Sequence, residues 1–142
     1  FNFWNHYRQF PEVEEEALEL LGDVLLDDKR NVPASELTHG EQRKLEIAIL
    51  LSLNPEILFL DEPTAGMGQE EVPAILEILE RIKARRDRTV LLVEHKMDMI
   101  MALSDTIAVL QNGALIAEGD PDEIYRSRAV KEAYLGGGIG SE

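Results

Sequence analysis

The sequence predicts an α/β fold built on parallel strands, and three observations support that prediction. Two short apolar runs, Ile57 to Leu60 and Thr89 to Val93, have the length and composition of strands that are buried on both faces of a sheet. Segments with helical spacing of apolar residues precede and follow each run. Asn112-Gly113 separates two further short segments and is the strongest hairpin signal in the chain. Alternating strands and helices therefore predict a parallel sheet with flanking helices, edged by an antiparallel hairpin.

The composition narrows the class of protein. The chain has 142 residues, a net charge of −14 and no cysteine, so disulfides, thiolate metal sites and cysteine nucleophiles are excluded. An acidic surface repels nucleic acid, and we expect no nucleic-acid partner. The longest apolar stretch, Ile47 to Leu53, is too short to cross a membrane. Because the chain opens on Phe1 without a visible targeting peptide, we expect the sequence to start within a longer protein.

The helices and the remaining strands follow in order. A first helix is expected from Pro11, which suits a first turn, with glutamates near its start. A second is expected from Gly40 to Leu53, and Asn54-Pro55 ends it. Its predicted inward face consists of Leu45, Ala48, Ile49 and Ser52. Later elements are expected as helices at Pro73 to Arg86 and Asp98 to Leu103, hairpin strands at Thr106 to Gln111 and Ala114 to Glu118, and short helices around Glu123 and Val130.

Charged and titratable side chains follow both predicted parallel strands. Asp61 and Glu62 end the first strand, and Glu94 and His95 end the second. Ligands of open α/β sheets bind at the carboxyl ends of the strands, and isolated charges are costly to bury, so function is a better explanation than stability. Two carboxylates could hold a hydrated magnesium ion and deprotonate a water, and a histidine could donate to a phosphate. The alternative is that Asp61 caps the next helix.

Several segments resemble the motifs of ATP-binding cassette (ABC) ATPases. The run from Ile57 to Thr64, which reads ILFLDEPT, is similar to their Walker B segment, and Leu37 to Gln42, which reads LTHGEQ, is similar to their signature motif. His95 stands where that family has its switch histidine. Within that family, the chain most resembles the branched-chain amino acid and urea importer branch. The segments that carry this resemblance are Leu45 to Ala48, Glu94 to Asp98 and Ala133 to Gly136.

The resemblance implies roles for the strand ends. Asp61 would orient Mg²⁺ through water, Glu62 would be the general base that activates the attacking water, and His95 would contact the γ-phosphate of ATP.

The signature motif would complete the ATP site of an opposing subunit. Thr38, His39, Gly40 and Glu41 would face the γ-phosphate bound there. A helix that begins near Gly40 presents unpaired backbone N–H groups and a positive dipole end to an anion.

The family's signature usually reads Leu-Ser-Gly-Gly-Gln. Thr38 replaces the serine but keeps its hydroxyl, and three other positions depart from the family pattern. His39 replaces a glycine and is either a phosphate donor or a spacer. Glu41 replaces the glutamine and adds a negative charge near the anion. Gly68 stands where the loop after Walker B commonly has an aspartate that communicates across the dimer.

The phosphate-binding P-loop is missing from the sequence. That motif reads Gly-x-x-x-x-Gly-Lys-Ser/Thr, and none of the five lysines of the chain follows a glycine. Electrostatic stabilisation dominates phosphoryl transfer, so we predict that this chain alone does not hydrolyse ATP. The resemblance places the missing P-loop strand beside Thr89 to Val93, which would become an open edge. We therefore expect the chain to self-associate.

The resemblance implies an ATP- and Mg²⁺-dependent ATPase subunit of an ABC importer for a small polar solute, such as branched-chain amino acids or urea. It would pair with a second ATPase subunit and with membrane permeases, in the cytoplasm on the inner face of the membrane. The alternative is a truncated, non-catalytic docking or regulatory module. The predicted organisation is a helical subdomain portion at 1–54, a catalytic-core portion at 55–135 and a flexible tail at 136–142.

Overall fold

The computed structural model of the chain describes residues 10–136, in two compact units that divide between Glu94 and His95. The first unit contains α1 (Pro11–Asp23), α2 (His39–Ser52), β1 (Ile57–Asp61), α3 (Val72–Arg85) and β2 (Thr89–Val93). The second contains α4 (Met97–Leu103), β3 (Ile107–Gln111), β4 (Ala114–Gly119), α5 (Pro121–Arg126) and α6 (Arg128–Gly136). The predicted α/β class and the order of elements are confirmed. Apart from Gly136, the predicted flexible tail lies outside the described residues.

Short 3₁₀ turns connect α1 to α2. Pro11 occupies the first position of α1, as expected, and Glu12 and Glu14 lie in its first turn. The chain leaves α1 through Leu25, whose φ is +56°, and the buried side chains of Val24 and Leu26 anchor this exit. Two 3₁₀ turns follow, at Asp27–Lys29 and Ala34–Glu36. The burial of Val24 and Leu26 therefore fixes the start of the segment that connects α1 to α2.

The inward face of α2 differs from the prediction. Its buried residues are Gly40, Ile47, Ala48 and Leu51, whereas Ile49 is 56% exposed and Ser52 is exposed. The apolar residues of α2 lie on several sides of the helix, so their spacing alone does not determine which face is buried. Packing against neighbouring segments selects it, and α1 is the neighbour with the most extensive contact.

β1 and β2 form a parallel pair in which Phe59 lies opposite Leu91 and Leu60 opposite Leu92. Side chains alternate along β1: Leu58 and Leu60 are buried, whereas Ile57 and Phe59 are 65% and 61% exposed. The prediction that both faces of the strands are buried is therefore wrong for residues 10–136. Only one face of this pair is covered there, and a strand with one covered face alternates in burial.

The second unit contains the predicted hairpin. Within residues 10–136 the hairpin forms a two-stranded sheet of its own, so the prediction that it edges the parallel sheet is wrong there. β3 and β4 pair antiparallel, with an irregularity between Val109 and Leu110. Asn112 and Gly113 have φ of +51° and +78°, the left-handed pair that a two-residue type I′ turn requires. Behind the hairpin, Ile107, Ile124 and Val130 form a small core. None of the helices in residues 10–136 combines the length and the hydrophobicity that a membrane span requires.

Candidate functional site

The signature segment, residues 37–42, forms the capped start of α2. The Thr38 hydroxyl accepts a hydrogen bond from the Glu41 N–H at 3.3 Å, and the Glu41 carboxylate accepts one from the Thr38 N–H at 2.8 Å. This reciprocal capping box holds the first turn. Within residues 10–136 the N–H groups of His39 and Gly40 donate no hydrogen bond. Both N–H groups lie at the positive end of the helix dipole; His39 is exposed there, whereas Gly40 is buried.

A lysine from outside the motif neutralises its glutamate. The Lys29 ammonium lies 3.0 Å from Oε1 of Glu41. The hydrogen bond from the Thr38 N–H, followed by that from Lys29, lowers the pKa of the Glu41 carboxyl below its ordinary value. The hydrogen bond and the charge of Glu41 raise the pKa of Lys29. The capping carboxylate is therefore ionised at neutral pH and is balanced by a cation.

The Walker B acids stand at the carboxyl end of β1. Asp61 is the last residue of the strand, Glu62 follows it, and both residues are exposed. Glu62 has a φ of +43°, which is uncommon for a residue with a side chain and costs backbone strain. Its N–H donates to the Val93 carbonyl at 2.8 Å, which ties this sharp turn to the end of β2. Two solvent-accessible carboxylates therefore follow β1, whereas the argument from the cost of burying charge assumed that they are buried.

A partly buried hydrogen bond connects the two strand ends. The Thr64 hydroxyl donates to Oε1 of Glu94 at 2.6 Å, and Thr64 is only 1% exposed. Thr64 lies two residues after Glu62, and Glu94 directly precedes His95 in the chain. The bond therefore fixes the backbone that follows each parallel strand.

The loop after β1, residues 62–71, packs against the signature segment. The Gly68 N–H donates to the Glu71 carboxylate at 3.0 Å. The same carboxyl group lies against Gly40, where a Cβ atom would be 2.8 Å from Cδ of Glu71 and 3.3 Å from Cε of Met67. A Cβ at Gly66, on the same loop, would be 3.4 Å from Nε2 of His39. The loop and the signature segment therefore form one contiguous surface.

The predicted site residues fall into separate groups. Thr38, His39, Gly40 and Glu41 share one helical turn, and Asp61 and Glu62 share one strand end. His95 is exposed and begins the second unit. In the described part of the chain, no three histidine or acidic side chains converge as a closed metal site.

Sequence reasoning missed two residues of this surface, Lys29 and Glu71. The pattern Thr38-x-x-Glu41 would have predicted the capping box. No local sequence pattern predicts that the Glu41 carboxylate pairs with Lys29, which lies twelve residues earlier in the chain.

Sequence comparisons identify relatives of the chain. The sequence profile of the ABC transporter family matches residues 2–65, and that of the branched-chain amino acid ATP-binding cassette transporters matches residues 114–139. The high-affinity branched-chain amino acid transport ATP-binding protein BraF of Pseudomonas aeruginosa is 39% identical over 131 residues, which are 89% of this chain. LivG of Escherichia coli, which bears the same description, is 38% identical, and the methionine import ATP-binding protein MetN 1 of Listeria monocytogenes is 36% identical. The chain spans about half the length of BraF and LivG, 51% of each.

Solved structures agree with these relatives. The ATP-binding cassette MJ1267 of an ABC transporter superimposes with a TM-score of 0.74 at 30% identity, over 87% of this chain and 50% of that one. CbiO1 from Clostridium perfringens, part of the ABC transporter complex cbiONQ, superimposes with a TM-score of 0.74 at 25% identity. The predicted ABC ATPase fold is confirmed, over about half of the reference domain. Motifs, profiles, relatives and fold agree, and the chain belongs to the ABC transporter family of ATPases.

Proposed function

We propose that this chain is the signature- and Walker B-bearing part of an ATP-hydrolysing subunit of an ABC importer. The observation that supports this most is the start of α2, where, in the described part of the chain, the capping box leaves the N–H groups of His39 and Gly40 without a hydrogen bond at the positive end of the helix dipole. The solute would be small and polar, such as a branched-chain amino acid or urea. The match of residues 114–139 to the branched-chain amino acid transporters supports that class.

The signature segment would bind the γ-phosphate of ATP held by a second ATPase subunit. The N–H groups of His39 and Gly40 would donate to phosphate oxygens, assisted by the helix dipole. The Thr38 hydroxyl accepts from the Glu41 N–H, so its own hydrogen is left to donate to the phosphate. His39 is exposed on the same turn and would add a donor.

The Walker B acids would act on the water and on magnesium. Magnesium keeps several waters and is commonly held by one or two carboxylates together with substrate phosphates, so the exposed Asp61 and Glu62 fit it. When bound, Mg²⁺ neutralises charge that develops on the phosphate oxygens. Asp61 would hold a magnesium-bound water, and Glu62 would accept the proton of the attacking water. His95 would donate to the γ-phosphate.

ATP hydrolysis would also require a P-loop, which this sequence does not contain. Without the cationic cradle for the β- and γ-phosphates, we expect the 142-residue chain to be inactive by itself. In the working assembly a second ATPase subunit and membrane permeases would be its partners, on the cytoplasmic face of the membrane.

The test is ATP turnover by the intact protein that carries this sequence in its native reading frame. We expect Mg²⁺-dependent hydrolysis that Glu62→Gln reduces by about 10²- to 10⁴-fold, because the general base is lost. Glu70→Gln removes an exposed carboxylate from the same loop and is the matched control. Full activity of Glu62→Gln would exclude Glu62 as the base, and Glu62-dependent turnover by the 142-residue chain would show that no P-loop is needed.

One observation favours a second candidate, a non-catalytic docking or regulatory module: the sequence has no P-loop. The intact mass of the protein purified from its source separates the two proposals. A mass near twice the 16.0 kDa of this chain supports the ATPase subunit, and a mass equal to it supports the module.

A further inference from the structure

We propose that Lys29 is a positioning residue of the signature site: it offsets the charge of Glu41 and so keeps the start of α2 attractive to phosphate. The inference rests on the proposed function, because it assigns a residue to the same half-site. It concerns a side chain that lies outside the signature segment and enters it only through tertiary contact.

Glu41 has two opposing effects at this site. As the third residue of α2, its carboxylate receives the Thr38 N–H and closes the capping box. The same carboxylate is a full negative charge within one turn of the His39 and Gly40 N–H groups. Two negative charges at such short range repel, so Glu41 by itself would weaken phosphate binding.

Lys29 removes this conflict without disturbing the cap. Thr38 uses Oε2 of Glu41 and Lys29 uses Oε1, so each carboxylate oxygen has its own donor. The pair is partly shielded from solvent, with side chains 35% and 20% exposed, and shielded pairs are screened less by salt. The pair thereby retains the helix cap and has no net charge.

Other charged groups near the pair do not replace Lys29. Asp28 lies 3.8 Å from the ammonium, but its side chain is 76% exposed and therefore screened by water. Glu71, which lies against Gly40, is a further negative group and accepts the Gly68 N–H. The Glu71 carboxylate therefore increases the need for a cation beside the signature turn.

A double-mutant cycle tests the proposal in the intact protein. We expect Lys29→Gln to raise the KM for ATP about tenfold, which is the scale of one close charge interaction near a protein surface, with a smaller effect on kcat. Glu41→Gln added to Lys29→Gln should restore KM to within about twofold of the wild type, since the repelling charge is gone. Lys29→Arg keeps the cation and should keep the wild-type KM. Lys44→Gln removes a cation from α2 itself and is the matched control for net charge.

The same cycle can be followed without catalysis. Inorganic phosphate is titrated into the intact protein, without nucleotide, while the backbone amide resonances of His39 and Gly40 are recorded. We expect saturable shifts that weaken in Lys29→Gln and return in the double variant. Unchanged phosphate affinity in Lys29→Gln, or losses in Lys29→Gln that Glu41→Gln does not reverse, would overturn the proposal. If the wild-type intact protein hydrolyses no ATP, the proposed function fails, and the phosphate titration still decides the role of Lys29.

Discussion

Gly40 is the residue where the signature segment and the loop after β1 leave least room. A Cβ atom at Gly40 would overlap the Glu71 carboxyl, which also accepts the Gly68 N–H at 3.0 Å. The carboxyl can swing away only by giving up that hydrogen bond, which is worth about 1 kcal/mol. Alanine in place of glycine otherwise stabilises a helix by about 0.5–1 kcal/mol. The sign of a substitution at Gly40 therefore depends on Glu71.

We predict that Gly40→Ala gives no net stabilisation while Glu71 is present, because the lost hydrogen bond offsets the helical gain, and that the same substitution stabilises the chain once Glu71 is alanine. Urea unfolding of the four variants measures both differences, and the coupling should be about 1 kcal/mol. Gly113→Ala is the control, because a Cβ there meets no atom within 4 Å and only the positive φ opposes it. Its cost should be equal in both backgrounds. An equal effect of Gly40→Ala in both backgrounds would contradict the contact.

At the scale of the element, the start of α2 depends on the ionised form of Glu41. The Thr38 N–H and then Lys29 lower the pKa of its carboxyl in the folded chain. A carboxyl whose pKa is lower in the folded state contributes stability above its unfolded pKa and loses that stability as pH falls through the folded pKa. The contribution of this cap is therefore complete at neutral pH and disappears in acid.

We predict that Glu41→Gln lowers the unfolding midpoint at pH 7, and that its difference from the wild type closes as the pH falls below the ordinary pKa of glutamate. Thermal unfolding of both proteins over a pH series measures the difference. Thr38→Ser keeps the capping hydroxyl and should keep the wild-type pH dependence. A difference that stays constant from neutral to acid pH would show that the charge of Glu41 does not support the helix.

The elements themselves were predictable because their signals are local. Asn112-Gly113 specifies its turn through two left-handed residues, and Pro11 starts α1 at the expected position. Which face of an element is buried depends on what packs against it, so Ile49 and Phe59 were misplaced in the core. Partners that are distant in sequence, Lys29 for Glu41 and Glu71 for Gly40, are set by the fold alone.

At the scale of the whole chain, one face of the parallel pair is open. Ile57 and Phe59 of β1 and Leu91 and Val93 of β2 are all between 44% and 65% exposed, and the pairing of Phe59 with Leu91 places them on one surface. Within residues 10–136, β2 pairs with no strand other than β1, so its outer edge is also unpaired. Contiguous apolar surface and an unpaired strand edge both favour association with another chain.

We predict that the 142-residue chain self-associates through this sheet, and that Phe59→Thr with Leu91→Thr weakens the association. Threonine preserves strand propensity while it removes apolar area, so the sheet is retained and the driving force falls. Light scattering over a concentration series measures the mass.

Leu110→Thr is the control, because Leu110 is 69% exposed on β3 of the second unit and its substitution should leave the association intact. A wild-type chain that stays monomeric at every concentration would refute the prediction. Equal weakening by Leu110→Thr would indicate non-specific hydrophobic association and not association through the exposed face of β1 and β2. Because the chain spans about half the length of its relatives, the protein purified from its source provides the decisive comparison. If additional sequence covers the sheet there, that protein should be monomeric without ATP, under conditions in which the 142-residue chain associates.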